Sequence, residues 1–277
     1  MIRLAKFIAR AGVVSRRGAE VLIKEGKVKL NGKVVLEPAT MVDPREDRVQ
    51  VGNRELSSPF SPIYILLNKP KGVVTTLKDP QGRMTVRDLL KGIHRRLFPV
   101  GRLDCHTEGV LLLTNDGDMA HRLLHPSFRI ERVYQAKLRG VPDKAALERI
   151  REGVELEPGV VLRARARMLR ILKANSWLEL VLYEGRYREV RRMCEAVGHP
   201  VLALKRTRFG PLSTKGLPPG AYRHLTAAEL ELLHEALQKK GRGLEESAKK
   251  SIPSKTGSMK KRFPKSMKKR LSGGKKR

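Results

Sequence analysis

The stretch 101–117, GRLDCHTEGVLLLTNDG, places the carboxylate of Asp104 between a glycine turn and an apolar run. The run 110–114 predicts a short buried strand, and residues 115–117 have the chemistry of a turn. Asp104 is therefore expected on a loop with an apolar segment on either side, a setting that often carries catalytic groups. The pattern by itself equally allows Asp104 to cap a turn, because aspartate is common in turns.

A second stretch, 184–200, concentrates arginines at the start of a predicted helix. Val190, Met193 and Val197 have the spacing of one apolar helical face, and Gly198 ends the helix. The arginines of its first half are Arg186, Arg188, Arg191 and Arg192. A guanidinium can bind a carboxylate through its planar fork of donors. An exposed basic helix face would give the same pattern.

Aromatic residues make up only 4% of the chain, so any stacking on a nucleic-acid base depends on a few identifiable rings. Tyr134 is one candidate, because it lies in the alternating segment 132–138, which predicts a strand. A half-buried strand tyrosine with no contact to a ligand is the alternative explanation.

The composition predicts a polyanionic partner. Of 277 residues, 59 are Lys or Arg and 28 are Asp or Glu, which gives a formal net charge of +31. Such an excess favours nucleic acid first and an anionic membrane surface second. No apolar run is long enough to span a bilayer. Cys105 and Cys194 lack the spacing of metal ligands and indicate a reduced compartment, so a cytoplasmic protein without a metal is expected.

Residues 1–58 predict a small basic domain. Apolar residues at helical spacing indicate helices over 3–11 and 16–25, with Ser15 as the cap of the second, and the pair Asn31-Gly32 indicates a β-hairpin. This arrangement resembles the RNA-binding domain first named from ribosomal protein S4. The side chains expected to contact phosphates are Arg3, Lys6, Arg10, Arg16, Arg17, Lys27 and Lys29. A solvated basic face is the plainer alternative.

Residues 59–238 predict a larger second domain, which the Ser/Pro-rich linker 53–62 joins to the first. Strands are expected at 63–67, 73–76, 110–114, 132–138, 160–171, 177–183 and 201–209. Helices are expected at 85–90, 118–124, 143–152, within 184–200 up to Gly198, and from a capping box at Thr226 and Glu229 to about residue 238. Further candidate contacts to RNA are Lys69 and Lys71 of the basic turn 68–72, with Arg102, Arg186 and Arg192.

Residues 239–277 hold 16 of the 59 Lys and Arg residues but only two of the 28 acidic ones. With almost no apolar residues, this segment cannot bury enough surface to fold. It is expected to be a disordered basic tail that attracts RNA without sequence preference, most strongly at low salt.

The whole run 101–117 resembles the aspartate motif of the ribosomal RNA pseudouridine synthases, and the surroundings of Tyr134 and Arg191 resemble two further motifs of that family. The resemblance implies an α+β fold, in which the S4-like domain precedes a catalytic domain with a mixed, largely antiparallel β-sheet and flanking helices. It also implies that Asp104 is the catalytic carboxylate, that Arg191 pairs with it, and that Tyr134 stacks on the target uracil. Residues 187–189, Tyr-Arg-Glu, depart from the Asn-His-Gln or Asn-Arg-Gln of many relatives, so their contacts are not carried over.

The reaction implied by the resemblance is the isomerisation of a specific, flipped-out uridine to pseudouridine. The glycosidic bond breaks, the base rotates and a carbon–carbon bond forms, so neither a small-molecule cofactor nor a metal is expected. A covalent and a glycal path both stay open. The domain arrangement most resembles the enzymes of the large ribosomal subunit and implies 23S rRNA, with 16S rRNA as the other possibility. A monomer is expected.

Two functions of other classes compete with this reading. A non-catalytic S4-type ribosome-assembly factor would account for the charge and for the first domain, but not for Asp104, Tyr134 and Arg191 together. An RNA methyltransferase would require a glycine-rich cofactor loop after a strand, which the sequence lacks.

Overall fold

The computed structural model describes residues 1–56 and 61–250, with side chains up to residue 238. The predicted domain boundary at 58/59 lies outside these residues. The first domain contains the helices α1 (Leu4–Arg10) and α2 (Arg16–Lys24). Its strands are β1 (Ile2–Arg3), β2 (Val28–Leu30), β3 (Lys33–Val34), β4 (Met41–Val42), β5 (Val49–Val51) and β6 (Arg54–Leu56).

Local sequence signals shape this first domain. The Ser15 side chain accepts a hydrogen bond from the Gly18 amide at 3.0 Å and so caps α2. Asn31 and Gly32 both adopt positive φ, 51° and 81°, as a two-residue type I′ hairpin requires. The four-stranded sheet has the order β3-β2-β5-β6. Its buried side chains form one apolar core with α1 and α2.

The second domain is built mainly of strands. These are β7 (Tyr64–Lys69), β8 (Phe98–Pro99), β9 (Thr107–Thr114), β10 (Arg132–Arg139), β11 (Val154–Glu157), β12 (Val160–Leu162), β13 (Arg165–Ile171), β14 (Asn175–Leu182), β15 (Val201–Phe209), β16 (Leu212–Ser213) and β17 (Tyr222–His224). Its α-helices are α3 (Gly117–Leu124), α4 (Lys144–Glu152), α5 (Glu189–Ala196) and α6 (Ala227–Lys250).

The central sheet has the order β13-β14-β10-β15-β9-β7-β17, with β8 paired to β9 and β16 to β15. Strands β15 and β9 run parallel, and the other neighbours in this sheet are antiparallel. The predicted fold class, a mixed and largely antiparallel sheet with flanking helices after an S4-like domain, is confirmed.

Strands β7 and β9 are covered on both faces, which explains their continuous apolar sequence. Leu66 and Leu112 lie in a core that includes residues of α3 and α6. Leu67 and Leu111 lie in a second core, formed with the long connection 70–97. A third core joins α4 and α5 to β10 and β14. The loop before β9 is therefore attached to a strand that is buried on both faces.

Two predicted elements of the connection 70–97 are wrong. Residues 73–76 form only a single bridge, from Val74 to Thr85, and the Thr75 hydroxyl bonds to the backbone of Leu103. Residues 86–89 form turns and not a helix, although the Asp88 carboxylate accepts hydrogen bonds from the Thr85 amide and hydroxyl. The predicted strand 160–171 is divided into β12 and β13, and β11 was not predicted.

Helix α6 continues to Lys250, twelve residues beyond the predicted end. The first twelve residues of the segment expected to be disordered, 239–250, are thus helical here. The disordered tail as a whole stays a prediction. The rest of the predicted tail, 251–277, lies outside the described residues. Across the described part of the chain, no helix is both long and apolar enough to cross a membrane.

The start of α6 makes the stability of the second domain depend on pH. Arg223 donates two hydrogen bonds to Glu229, at 2.6 and 2.7 Å, and these lower the pKa of Glu229 to about 2 from 4.5. A carboxyl with a lowered pKa stabilises the fold above pH 4.5 and loses this effect as the pH falls towards 2. Glu229→Gln should reduce the free energy of unfolding at pH 7 by about 1–2 kcal/mol. Urea titrations should show this difference shrinking below pH 4.5, and an equal difference at pH 7 and pH 3 would contradict the ion-pair explanation.

Candidate active site

Two of the three residues predicted to act on a base line one cleft of about 490 Å³, and the third contacts one of them from beside it. The loop before β9 contributes Asp104 to its lining, and β10 contributes Tyr134. The residues before and at the start of α5, together with the middle of β15, form other walls. Arg191, in the first turn of α5, contacts Asp104 without lining the cleft itself. Segments far apart in the chain thus meet at one place.

The loop that carries Asp104 is held by its backbone. Gly101 turns the chain with a φ of +76°, a conformation that suits glycine. The Thr75 hydroxyl donates to the Leu103 carbonyl at 2.6 Å, and the Thr107 amide donates to the Asp104 carbonyl at 3.0 Å. The Asp104 side chain remains 36% exposed and faces the cleft. Its backbone is fixed while its carboxylate stays accessible.

The prediction that Lys69 contacts RNA is wrong, because its side chain is fully buried. Its ammonium donates to the carbonyls of Pro70 at 2.9 Å, Cys105 at 3.3 Å and Thr107 at 2.9 Å. Burial lowers the pKa of Lys69 to about 8. The interior position arises because strand β7 continues through Lys69, so the lysine points into the protein before the turn begins. Lys69 therefore fastens the Asp104 loop and cannot contact a phosphate.

Lys69→Met should loosen this loop. Loss of the buried donor leaves backbone carbonyls without their partner, so we expect the free energy of unfolding to fall by about 2–3 kcal/mol. Lys71→Met is the matched control, since Lys71 is exposed in the same turn and should change stability by less than about 0.5 kcal/mol. Chemical denaturation of both variants checks the expectation, and equal stability would show that Lys69 does not anchor the loop.

Arg191 is tied to the Asp104 loop at two points. Its Nε atom lies 3.8 Å from Asp104 Oδ2, and its Nη2 atom donates to the His106 carbonyl at 3.3 Å. A further hydrogen bond, from Nη1 to the Val201 carbonyl at 3.2 Å, connects it to β15. Burial and the neighbouring Arg188 lower the pKa of the Arg191 guanidinium, and the Asp104 carboxylate opposes them. An arginine pKa is high enough that the side chain stays charged.

Tyr134 occupies a wall of the cleft beside Asp104. It is half-buried, packs against two of the apolar cores, and lies opposite Leu180 of β14 and Arg206 of β15. Because directly opposed residues of antiparallel strands share a face, the ring and the Arg206 side chain lie on the same side of the sheet. The Tyr134 ring thus packs in part against the apolar cores and in part lines the open cleft.

The sequence analysis did not single out four buried polar residues of this cleft: Thr107, Arg132, Glu189 and Arg206. Arg132 donates to the Tyr183 carbonyl at 2.6 Å, and burial lowers its pKa. Burial also raises the pKa of Glu189, whose carboxylate accepts from the Arg186 amide at 3.0 Å. The alternation of side chains along a strand could have indicated Arg206 from the sequence, because it places this residue on the same face of β15 as Leu204.

Most of the predicted RNA contacts are on the surface. The exposed residues are Arg3, Arg16, Arg17, Lys27, Lys29, Lys71, Arg102 and Arg186. Lys6, Arg10 and Arg192 are half-buried and make ion pairs: the first two with Asp118 of α3, and the third with Glu157. Asp118 thereby connects the two domains. Contact of these side chains with phosphate stays a prediction.

The described residues contain no group of three or more His, Cys, Asp or Glu side chains that could hold a metal ion. What the cleft offers is an accessible carboxylate, a guanidinium fixed beside it, an aromatic ring, and buried hydrogen-bonding groups. A carboxylate can act as a nucleophile or stabilise a developing positive charge, and the ring can support a planar base.

Comparisons with known proteins identify the family of this chain. The model of the RNA pseudouridylate synthase family matches residues 63–196, and the S4 domain model matches residues 2–49. Ribosomal large subunit pseudouridine synthase B of Bacillus subtilis (strain 168) is 46% identical over 235 residues, which cover 84% of this chain and 96% of the relative. An uncharacterized RNA pseudouridine synthase of Aquifex aeolicus is 44% identical over 237 residues, 85% of this chain and 95% of the relative.

A solved structure described as a crystal structure of pseudouridylate synthase has a TM-score of 0.60 and 30% sequence identity. The match covers 84% of this chain and 100% of that one. The chain belongs to the RNA pseudouridylate synthase family. Within it, the chain is a two-domain enzyme whose catalytic domain follows an S4 domain.

Proposed function

We propose that this enzyme isomerises one uridine of 23S ribosomal RNA to pseudouridine, with Asp104, Arg191 and Tyr134 acting on the base. The observation that carries the assignment of residues is the contact of Arg191 with Asp104 in a cleft that Tyr134 also lines. The name of the Bacillus subtilis relative, a ribosomal large subunit enzyme, supports the choice of RNA.

In the proposed mechanism, the target uridine leaves its stack and enters the cleft, where its base lies on the Tyr134 ring. The Asp104 carboxylate then assists cleavage of the glycosidic bond, either by covalent attack or by stabilising the charge that develops on the sugar. Arg191 holds that carboxylate through the ion pair and holds the loop through the His106 carbonyl. The base then rotates within the cleft and its C5 atom bonds to the sugar; C5 gives up its proton to solvent and N1 takes one up, so the overall composition of the nucleotide is unchanged.

The basic surface supplies affinity for the RNA. Exposed lysines and arginines of the S4 domain contact phosphates and position the substrate, without reading its sequence. Arg102 and Arg186, which are exposed at the cleft, meet the phosphates nearest to the flipped nucleotide. Binding by these contacts should weaken steeply as salt rises. The proposed enzyme acts in the cytoplasm as a monomer.

The test is to map pseudouridines in ribosomal RNA from cells that lack this gene. One site in 23S rRNA should be unmodified, restored by the wild-type gene and not restored by an Asp104→Asn gene that is expressed equally. A missing site in 16S rRNA instead would overturn the choice of RNA. An unchanged map of both RNAs would contradict ribosomal RNA as the substrate.

A further inference from the structure

Two buried polar atoms in the same cleft have no hydrogen-bond partner. Among the described residues, Thr107 Oγ1 and Arg206 Nη2 are the buried side-chain nitrogen and oxygen atoms left unpaired. Both residues are only 2% exposed, and both line the cleft beside Asp104 and Tyr134. Because buried polar groups in proteins are nearly always paired, two such atoms at one site indicate that a ligand supplies their partners.

Neighbouring strands place these two residues diagonally on one face of the sheet. Strands β9 and β15 are parallel here, with Thr107 opposite Leu204 and Gly109 opposite Arg206. A Cβ atom at Gly109 would lie 2.0 Å from the Arg206 carbonyl oxygen, so the strands approach as closely as glycine permits. Arg206 is further fixed by a 2.9 Å hydrogen bond from its Nε atom to the Val110 carbonyl. The two unpaired atoms therefore have a rigid support.

We infer that Arg206 and Thr107 read the hydrogen-bonding edge of the target uracil. Arg206 Nη2 donates to a carbonyl oxygen of the base, and Thr107 Oγ1 accepts from the adjacent N3–H. A hydroxyl can both donate and accept, and a guanidinium only donates, so the pair matches the acceptor–donor order of a uracil edge. These two contacts would fix the edge of the base in the cleft and so orient it on the Tyr134 ring. This inference rests on the proposed function and adds a base-positioning site to it.

The position of Arg206 favours the base over a backbone phosphate. Arg206 lies directly opposite Tyr134, on the same face of the sheet. A base stacked on that ring brings its edge towards Arg206, and its phosphate remains near the exposed arginines at the cleft, such as Arg102 and Arg186. Glu189, the buried carboxyl of the cleft, makes no ion pair with Arg206.

The experiment uses three variants of the full chain. Thr107→Val removes the hydroxyl and keeps the volume, and Arg206→Met removes the donors and keeps a long side chain. Lys205→Met is the control. Lys205 is the basic residue next to Arg206 on β15, but its side chain lies on the other face of the sheet, opposite Glu108. Each variant is assayed for pseudouridine formation on ribosomal RNA transcripts that contain uridine, 4-thiouridine or 2-thiouridine, since sulfur is a weaker acceptor than oxygen. Thermal unfolding and filter binding report folding and RNA affinity.

With uridine transcripts, kcat/KM should fall about tenfold for Thr107→Val and about 30-fold or more for Arg206→Met, with the control and the RNA affinities within about twofold of wild type. Thiolation of the contacted carbonyl should slow the wild-type enzyme about fivefold and should not slow Arg206→Met further. Equal costs of thiolation in the wild-type enzyme and in Arg206→Met, at both positions, would overturn the contact of Arg206 with the base. Wild-type kcat/KM in a folded Thr107→Val variant would overturn the contact of Thr107, and that result does not depend on how well Arg206→Met folds.

A third set of transcripts, with phosphorothioate linkages, distinguishes the base from the phosphate. If phosphorothioate lowers kcat/KM of the wild-type enzyme but not of Arg206→Met, then Arg206 contacts a phosphate. That result would overturn the proposed contact of Arg206 with the base. Failure of the wild-type enzyme on every uridine transcript would count against the proposed function, and that result differs from a selective loss in the variants.

Discussion

Asp104→Asn should abolish pseudouridine formation and leave RNA binding intact. The substitution keeps the shape of the side chain but removes its negative charge, so it can neither attack nor stabilise a positively charged sugar. We expect kcat to fall by about 10⁴-fold or more, the scale on which loss of a nucleophile acts in other enzymes. Release of tritium from RNA labelled at C5 of uridine measures the reaction, and filter binding measures affinity, which should change by less than about twofold because the basic surface is untouched.

Glu108→Gln is the matched control for this substitution. Glu108 follows Asp104 closely in the chain, but it lies on β9 opposite Lys205, on the face of the sheet away from Thr107. This variant should retain activity within about threefold of wild type, which separates a general loss of negative charge from the loss of one carboxylate. Turnover by Asp104→Asn at a hundredth of the wild-type rate or more would remove Asp104 from the mechanism.

Arg191→Met should lower kcat by about 10²–10³-fold, with a much smaller change in KM. The variant loses the ion pair with Asp104 and the hydrogen bonds to the His106 and Val201 carbonyls. The carboxylate would then be free to turn away from the substrate, and a small displacement of a catalytic group is costly. Arg191→Lys should recover part of the rate, since it restores the charge but not the fork of donors. Steady-state kinetics of both variants test this.

Arg192→Met provides the control on the same helix. Arg192 also carries a guanidinium, but its partner is Glu157 on β11, away from the Asp104 loop. Its kcat should stay within about threefold of wild type. Equal losses of kcat in Arg191→Met and Arg192→Met would indicate that α5 had been disturbed as a whole, and would contradict a specific role of Arg191 in positioning Asp104.

Much of the local structure could be predicted because its causes are local. Ser15 caps α2 through its own hydroxyl, and Asn31-Gly32 adopts the positive φ angles of a hairpin turn. The apolar run 110–114 became the buried strand β9, since a segment covered on both faces has no need to alternate. The connection 70–97 was less predictable. Its side chains bond to distant or irregular backbone, as Thr75 does to Leu103, and no periodic pattern records such contacts.

The sequence by itself determined the chemical groups of this enzyme: the carboxylate of Asp104, the arginines of 184–200, and a net charge of +31 that favours a polyanionic partner. Motif spacing fixes which side chains are available, because local turns and helix periods depend on neighbouring residues. Only the tertiary structure decided which of these groups meet. It placed Lys69 in the interior as an anchor of the loop, and it brought Arg206 across from Tyr134. Pairing between distant strands sets those positions, and a strand's sequence does not specify its partner.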